Sequence, residues 1–354
     1  MMTENEEDIE DYNTISLPVQ RTENVANYQN IYQGTVTNTS VTVSKKTKPK
    51  KIDDEKVVYD LSAMGGGEVI LTNPNENELS LTSSQLLDLI TIHLTKIIPH
   101  GISEDELNSN RFLNCKFSVA DYMQLRGLSD KNQAVKQIKK DLETLFNMRM
   151  KANVRTPEID EETGKVTHSM KEWDIRVIDA KPSGRIQDYA TFHVSSVFAN
   201  YLRRSQIMAY PLPILLTAKN KSIYYIGRKL AEHYNINQFK SKRTSDKNYI
   251  SISSLLAYTP EIPSFDEEAL RGQHYRQKCI EPLEKTMEAL VELGIVDKWH
   301  FTNSKKIDLT DEELSQYRTS VDKWKSRLVY FELKGYPKPR RRRITKTAAA
   351  DTSK

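Results

Sequence analysis

Few side chains in this 354-residue sequence stand at the spacings that catalysis requires. A phosphate-cradling loop needs G-x-x-x-x-G-K-[ST], and Gly164-Lys165 lacks the upstream glycine because Ile159 holds its place. The run Gly65-Gly66-Gly67 is followed by no Lys-Ser/Thr and reads as a turn. Strand nicking by a tyrosine calls for a metal held by His-x-His. The seven histidines, at 93, 100, 168, 193, 233, 274 and 300, never fall two apart. Without that motif the tyrosines read as core and surface residues. The acids Asp160-Glu161-Glu162 fall in a polar tip, and Asp266-Glu267-Glu268 at a helix start, where the macrodipole favours them. The expectation is a protein that is not an enzyme, with no metal and no cofactor.

Binding chemistry is better represented. Lys131, Gln133, Lys136, Gln137, Lys139 and Lys140 lie off the apolar stripe of one helix-patterned segment. Lysine and glutamine reach phosphates and base edges, so the set suits a helix laid in a DNA major groove. A solvated amphipathic face is the alternative. Arg271, Gln273, His274, Arg276, Gln277 and Lys278 form a second set just ahead of Pro282. Lys240, Lys242 and Arg243, with Lys247, are phosphate-binding candidates in a polar loop, though a charged flexible loop explains them equally well. Arg340, Arg341, Arg342 and Arg343 make a basic arm at the far end, or a merely solubilising one.

These residues need elements to position them. Thr82-Ser-Ser-Gln85 looks like a capping box ahead of Leu86, Leu87, Ile90, Leu94 and Ile97 at helical spacing. Phe112–Phe117 reads as a strand. Ser118 caps a helix that stops at Gly127, and Leu128-Ser-Asp130 turns into a helix from Lys131 to about Asn147. Alternation over Met150, Ala152, Val154 and then Trp173, Ile175, Val177 predicts a hairpin with a long tip. Helix, strand, helix, turn, helix, hairpin is the order of a winged helix, with the helix-turn-helix around Gly127.

A second segment repeats the plan. Ile186–Val194 reads as a strand with Ser195 capping the next helix. A helix spans about Lys221–Tyr234, and Ile250-Ser-Ile252 is a short strand with Ser253 capping a helix through Tyr258. A long helix from about Phe265 to Leu293 follows, which Pro282 either kinks or divides. Ile295–Phe301 and Lys306–Leu309 form the hairpin, and Thr310 with Glu313 caps a last helix to about Tyr330. The fold class is α+β. The division is a disordered tail (1–55), a first winged helix (56–194), a second (195–310), a C-terminal helix (311–332) and a basic tail (333–354). Two units in one chain imply that one monomer reads neighbouring half-sites about one helical turn, roughly 10 bp, apart.

Composition agrees with that plan. Hydrophobic residues make up 38% and charged residues 28%, and the formal net charge of +4 conceals segregation. Glu4, Glu6, Glu7, Asp8, Glu10 and Asp11 stand at the start, and Lys45, Lys46, Lys48, Lys50 and Lys51 precede the first fold. Cys115 and Cys279 form no C-x-x-C pair and read as buried small hydrophobes in a reducing cytosol. No apolar run approaches the ~20 residues of a membrane span. A cytoplasmic protein without a membrane partner is expected.

Three stretches carry a family likeness. Ile223-Tyr-Tyr-Ile-Gly-Arg-Lys-Leu-Ala-Glu-His-Tyr234 resembles the helix that opens the second winged helix of theta-type plasmid replication initiators. Tyr275-Arg-Gln-Lys-Cys-Ile-Glu-Pro-Leu-Glu284 is similar to their recognition helix, and Phe192-His-Val-Ser-Ser-Val-Phe-Ala-Asn-Tyr-Leu202 to the segment joining their domains. Lys229-Leu230 replaces the family's usual Leu-Tyr, and the tails and long first hairpin are the chain's own. The resemblance covers about residues 57–310. It implies binding to direct repeats in double-stranded origin DNA, opening of adjacent A·T-rich DNA, recruitment of the host initiator and replicative helicase, and a homodimer in the repressor state. A winged-helix transcriptional regulator of a mobile element shares every binding feature and lacks origin opening. A nucleoprotein scaffold without sequence preference is a third class.

Overall fold

The computed structural model describes residues 12–15, 25–29, 50–53, 56–60, 68–72, 80–98, 102–107, 112–159, 166–180, 185–204, 207–216, 220–238, 246–259, 261–269, 274–316 and 321–336. Gly65–Gly67, Gly164-Lys165 and Lys45, Lys46 and Lys48 lie outside them, as do Lys240, Lys242, Arg243, Arg271, Gln273 and Arg340–Arg343.

Near the start of the chain lie five strands: β1 (Asn13–Ile15), β2 (Val25–Gln29), β3 (Lys50–Asp53), β4 (Lys56–Asp60) and β5 (Glu68–Thr72). Helix α1 (Leu81–Ile97) follows and buries Leu86, Leu87, Ile90 and Leu94. Its cap is Ser80, whose hydroxyl accepts from the Ser83 amide at 3.1 Å, and not the expected box at Thr82–Gln85. Ser80 has the extended backbone a cap requires, which leaves the Thr82 and Gln85 side chains inside the helix to bond elsewhere. After the single turn α2 (Glu104–Leu107) comes β6 (Asn114–Ser118).

The expected helix-turn-helix forms. Ser118 caps α3 (Val119–Arg126), accepting from the Asp121 amide at 3.3 Å. Gly127 ends it at φ 59, in the left-handed region where only a residue without Cβ is unstrained. Asp130 caps α4 (Lys131–Asn147). The hairpin β7 (Met148–Ile159) and β8 (Val166–Arg176) then pairs without a slip from Arg149↔Arg176 to Ile159↔Val166. This is a winged helix with an extended wing: β7 continues onto β5, giving the sheet order β3-β4-β5-β7-β8.

Within the stretch 1–55, expected as a disordered tail, the described residues include strands β1, β2 and β3. Strand β1 runs parallel to β6, with Ile15 opposite Phe117 and wholly buried. It completes the sheet β1-β6-β10-β9 with β9 (Ile178–Ala180) and β10 (Tyr189–Val194). Three residues are too few to show a period, yet they close an edge of β6 that would otherwise stand open. Strand β2 pairs antiparallel with β11 (Ile207–Pro211), and β3 antiparallel with β4.

Helix α5 (Ser196–Arg204), β11 and a short 3-10 turn (Leu212–Leu216) lead into α6 (Lys221–Gln238). Next come β12 (Tyr249–Ser251) and α7 (Ile252–Ala257). The cap of α7 is Ser251 and not Ser253, accepting from the Ser254 amide at 3.1 Å. The expected long helix to Leu293 is divided into α8 (Phe265–Ala269), a turn of π-helix (Arg276–Ile280) and α9 (Glu281–Glu292). Pro282 sits in the first turn of α9, directly after the π turn. The π turn just before it takes up the backbone mismatch that a proline imposes on the preceding carbonyls.

The end of the chain also departs from expectation. The last helix does not reach Tyr330: α10 (Asp311–Gln316) and α11 (Val321–Lys325) stop before β14 (Leu328–Leu333). Strand β13 (Val296–Thr302) pairs with β14 over its whole length, while the expected return strand at Lys306–Leu309 contributes one bridge, Thr302↔Asp308. Leu-Val-Tyr-Phe-Glu-Leu alternates, and Val329 and Phe331 are wholly buried, so period two wins. The sheet order β12-β14-β13 around α6, α7 and α9 makes the second winged helix. One continuous apolar cluster runs through both units.

Candidate nucleic-acid interface

On α4 the apolar stripe (Ala134, Ile138, Leu142, Leu145) is buried, and Lys131, Gln133, Lys136, Lys139 and Lys140 are exposed. The lysines differ in their surroundings. Lys131 is 2.8 Å from Asp188, so its charge is already answered. The ammonium groups of Lys136, Lys139 and Lys140 have no hydrogen bond or ion pair among the described residues. Positions three and four apart share a helix face, so these three present one uncompensated cationic surface. Gln137 belongs elsewhere: it is half-buried and donates to Thr82 Oγ1 at 3.1 Å and Asp141 Oδ1 at 3.0 Å.

A buried polar network fixes that face. Asp141 is fully buried and accepts from Thr82 (2.8 Å), Ser83 (3.0 Å), Gln137 and the Tyr122 hydroxyl (2.6 Å). Burial pushes the Tyr122 hydroxyl far above its ordinary value, so it stays protonated and donates. Arg126 donates to Gln85 and to the Thr82 carbonyl (2.7 Å), with its guanidinium 5.0 Å from the Tyr122 ring centre. Charge inside an apolar core survives only when it is paired. Here α1, α3 and α4 all supply partners, and the cationic face of α4 cannot rotate without breaking them.

The second set meets at the π turn. His274, Gln277 and Lys278 are exposed, while Tyr275, Cys279 and Ile280 point into the core. Burial pushes the other thiol, Cys115, up to about 12, so it is an inert core residue. Arg276 is not free as the sequence suggests. It lies 3.3 Å from Glu281 and 3.8 Å from Glu284, which neutralise it across the π turn. Lys247 sits 5.0 Å from the ring centre of Tyr234. At the second wing, Lys305 is exposed at the tip between β13 and the Thr302↔Asp308 bridge. Its sequence context, Thr302-Asn-Ser-Lys305, signals a turn and nothing about binding. Two cations of the first wing are answered: Arg149 by Asp174 at 3.1 Å and Lys151 by Glu172 at 3.7 Å.

A second buried carboxylate joins the two units. Asp88 of α1, wholly buried, accepts from Tyr210 (2.5 Å, β11), Tyr224 (2.7 Å, α6) and Arg228 (2.5 Å, α6). Arg228 also donates to the Tyr224 hydroxyl at 3.0 Å. Neither buried acid stands out from motif or spacing. The usable signal for Asp88 is a lone carboxylate inside an apolar helical face, Leu86-Leu-Asp-Leu-Ile90, which demands a buried partner.

Among the described residues no group of three or more His, Cys, Asp or Glu side chains could hold a metal, and no helix is long and apolar enough to cross a membrane.

Three solved structures are similar in course. One is the Pi initiator protein in complex with iteron DNA, at 9% identity and TM-score 0.44 over 88% of this chain and 97% of that one. RctB domains 2 and 3 match at 12% identity and TM-score 0.38, covering 79% and 90% of the two chains. A selenomethionine form of the same domains matches at 12% and TM-score 0.40, covering 85% and 99%. Likeness at this level concerns the path of the chain and not its residues. No protein-family model matches the sequence, and no curated protein does.

Proposed function

We propose that this chain is a replication initiator of a plasmid-like element, binding repeated double-stranded sites at an origin through its two winged helices. The observation that carries the DNA-binding part is the α4 face. Three lysines are exposed and unanswered on a helix placed by a tight turn and backed by a fully satisfied buried carboxylate. Such a face is built to meet polyanion, since unpaired lysines at adjacent turns repel one another until phosphates arrive. Gln277, Lys278 and Lys305 offer the second unit's binding groups. What favours an initiator over another DNA-binding protein is the resemblance of Ile223–Tyr234, Tyr275–Glu284 and Phe192–Leu202 to initiator segments. These stretches occupy α6, the π turn with α9, and the joint at β10–α5.

The finer parts of the proposal follow from that reading. The protein opens adjacent A·T-rich DNA, recruits the host initiator and replicative helicase, works in the cytoplasm, forms a homodimer when repressing its own gene, and has no nuclease, ATPase or nicking activity. The deciding experiment places the gene with its upstream DNA on a selectable circle that lacks any other origin. Autonomous replication that fails in the Lys136→Ala/Lys139→Ala/Lys140→Ala variant supports the proposal. Repression of a reporter without replication assigns the chain instead to transcriptional regulation. Metal-dependent nicking of supercoiled origin DNA by the pure protein would overturn the non-enzymatic reading.

A further inference from the structure

Two buried carboxylates lie on neighbouring helices, Asp141 within the first unit and Asp88 at its junction with the second. Thr82 and Ser83, at the start of α1, hold Asp141 of α4. About one and a half turns along the same helix, Asp88 holds Tyr224 and Arg228 of α6. On α6, Gly227 lies between those two residues and meets the neighbouring elements closely. A Cβ there would stand 2.8 Å from Ile214 Cγ2 and 3.1 Å from Leu290 Cδ2, the latter on α9. The path therefore runs from α4 through α1 and α6 to α9, helix against helix. Gln85 adds a cross-strut from α1 to the Ile214 carbonyl at 3.3 Å.

The Asp88 cluster is unusually well partnered for a junction between units. The acid is wholly buried, Arg228 is only 4% exposed, and three donors from two elements converge on one carboxylate. A charge pair at such depth adds little net stability compared with an apolar pair of the same size. Its directional bonds do, however, restrict geometry: a rotation of α6 against α1 leaves a buried charge unpaired, while an apolar interface would slide. Domains of one chain are otherwise expected to move against each other.

We propose that Asp88, Tyr210, Tyr224 and Arg228 are positioning residues that lock the second winged helix to the first and so fix the spacing of half-sites that one monomer accepts. The proposal rests on the two-unit DNA-binding reading above. The lock acts without touching DNA: it sets the distance and angle between α4 and α9. Each unit keeps its own recognition surface when the lock is removed, and only the coupling between them disappears.

The test uses the full chain and two variants. Asp88→Leu/Arg228→Met removes both charges together, which avoids stranding one of them, and Tyr224→Phe removes a single hydroxyl. The first readout needs no DNA. Spin labels on cysteines introduced at exposed Ala120 and Asp297 report the distance distribution between the units. A single narrow distance that broadens in the double variant supports the lock, and an unchanged distribution overturns it. The second readout is affinity for duplexes with two half-sites at native spacing and with 5 bp inserted. The wild type should lose on the order of 10²-fold on insertion, because simultaneous engagement becomes impossible. The double variant should lose less than about 10-fold, with Tyr224→Phe between them. Equal losses in wild type and double variant overturn the lock alone. A wild type indifferent to deletion of one half-site overturns the two-unit reading, whatever the distances show.

Discussion

At the residue scale, one carboxylate decides whether α4 stays in place. Asp141 collects four donors in a fully buried site. Removing it takes an acceptor from all four and leaves the buried Tyr122 hydroxyl without one, whereas removing one donor breaks one bond. Asp141→Ala should therefore destabilise by about 3–5 kcal/mol and Tyr122→Phe by about 1–2 kcal/mol, read from urea unfolding. Near-equal losses would mean that Asp141 is not the hub. His93 gives a pH signature. Burial, reinforced by Lys96, pushes its imidazole from 6.5 down to about 4, so the folded chain keeps it neutral where the unfolded chain protonates it. Stability from this residue is complete above pH 6.5 and drains away as pH falls toward 4. His93→Leu should flatten stability across that window, and a slope equal to wild type would show that His93 does not titrate in this way. Little of this layer is legible in the sequence. Lys136, Lys139 and Lys140 are legible because polar residues off an apolar stripe must face solvent. Lys131 and Arg276 look identical in sequence, but Lys131 meets Asp188 only because the chain folds back over 57 residues, and Arg276 meets Glu281 and Glu284 across the local π turn.

At the element scale, legibility follows the range of the interaction. The boundaries of α4 and the stop at Gly127 come from local signals, a cap, a stripe and a residue able to take φ 59. Strands β1 and β14 escape a local reading because their partners lie far away: Ile15 pairs with Phe117, and Tyr330 with both Tyr249 and His300. A three-residue strand has no period, and Leu328–Leu333 follows helical segments closely enough to read as their continuation. The buried Ile15 gives a direct check. Ile15→Ala should cost about 2–5 kcal/mol, where a disordered tail would cost nothing. The π turn separates shape from stability. Pro282→Ala restores a donor and removes the ring that obstructs the preceding carbonyls, so the helix can tighten to ordinary spacing. Thermal stability should hold or rise. The exposed Gln277 and Lys278 would turn relative to the core face of α9, and DNA affinity should fall about 10-fold, the equivalent of ~1.4 kcal/mol. Affinity and stability falling together would mean that Pro282 merely holds the fold.

At the scale of the whole molecule, the proposed DNA binding raises the question of how a chain of net charge +4 would hold a polyanion at all. With 52 basic and 48 acidic residues, its average field is weak, and attraction must come from where cations are left unanswered. Intramolecular pairing sorts them. Lys131, Arg149 and Arg276 have carboxylates at 2.8, 3.1 and 3.3 Å, so a phosphate approaching them displaces a partner and the net gain is small. Lys136, Lys139 and Lys140 have none among the described residues, so each phosphate they meet releases a condensed counterion outright. Charge-removing substitution in the two groups should thus behave differently although the formal change is the same. Lys136→Gln/Lys139→Gln/Lys140→Gln should reduce the slope of log affinity against log salt by roughly 0.9 for each phosphate no longer neutralised, about 2–3 in all. Lys131→Gln/Arg149→Gln/Arg276→Gln should change it by less than about 1. The comparison holds total charge constant, so a general electrostatic field predicts equal slopes for both triple variants. Equal slopes, measured by titration of a labelled duplex from about 50 to about 200 mM salt, would show that DNA feels the molecule's overall charge and that the α4 face has no special part in binding.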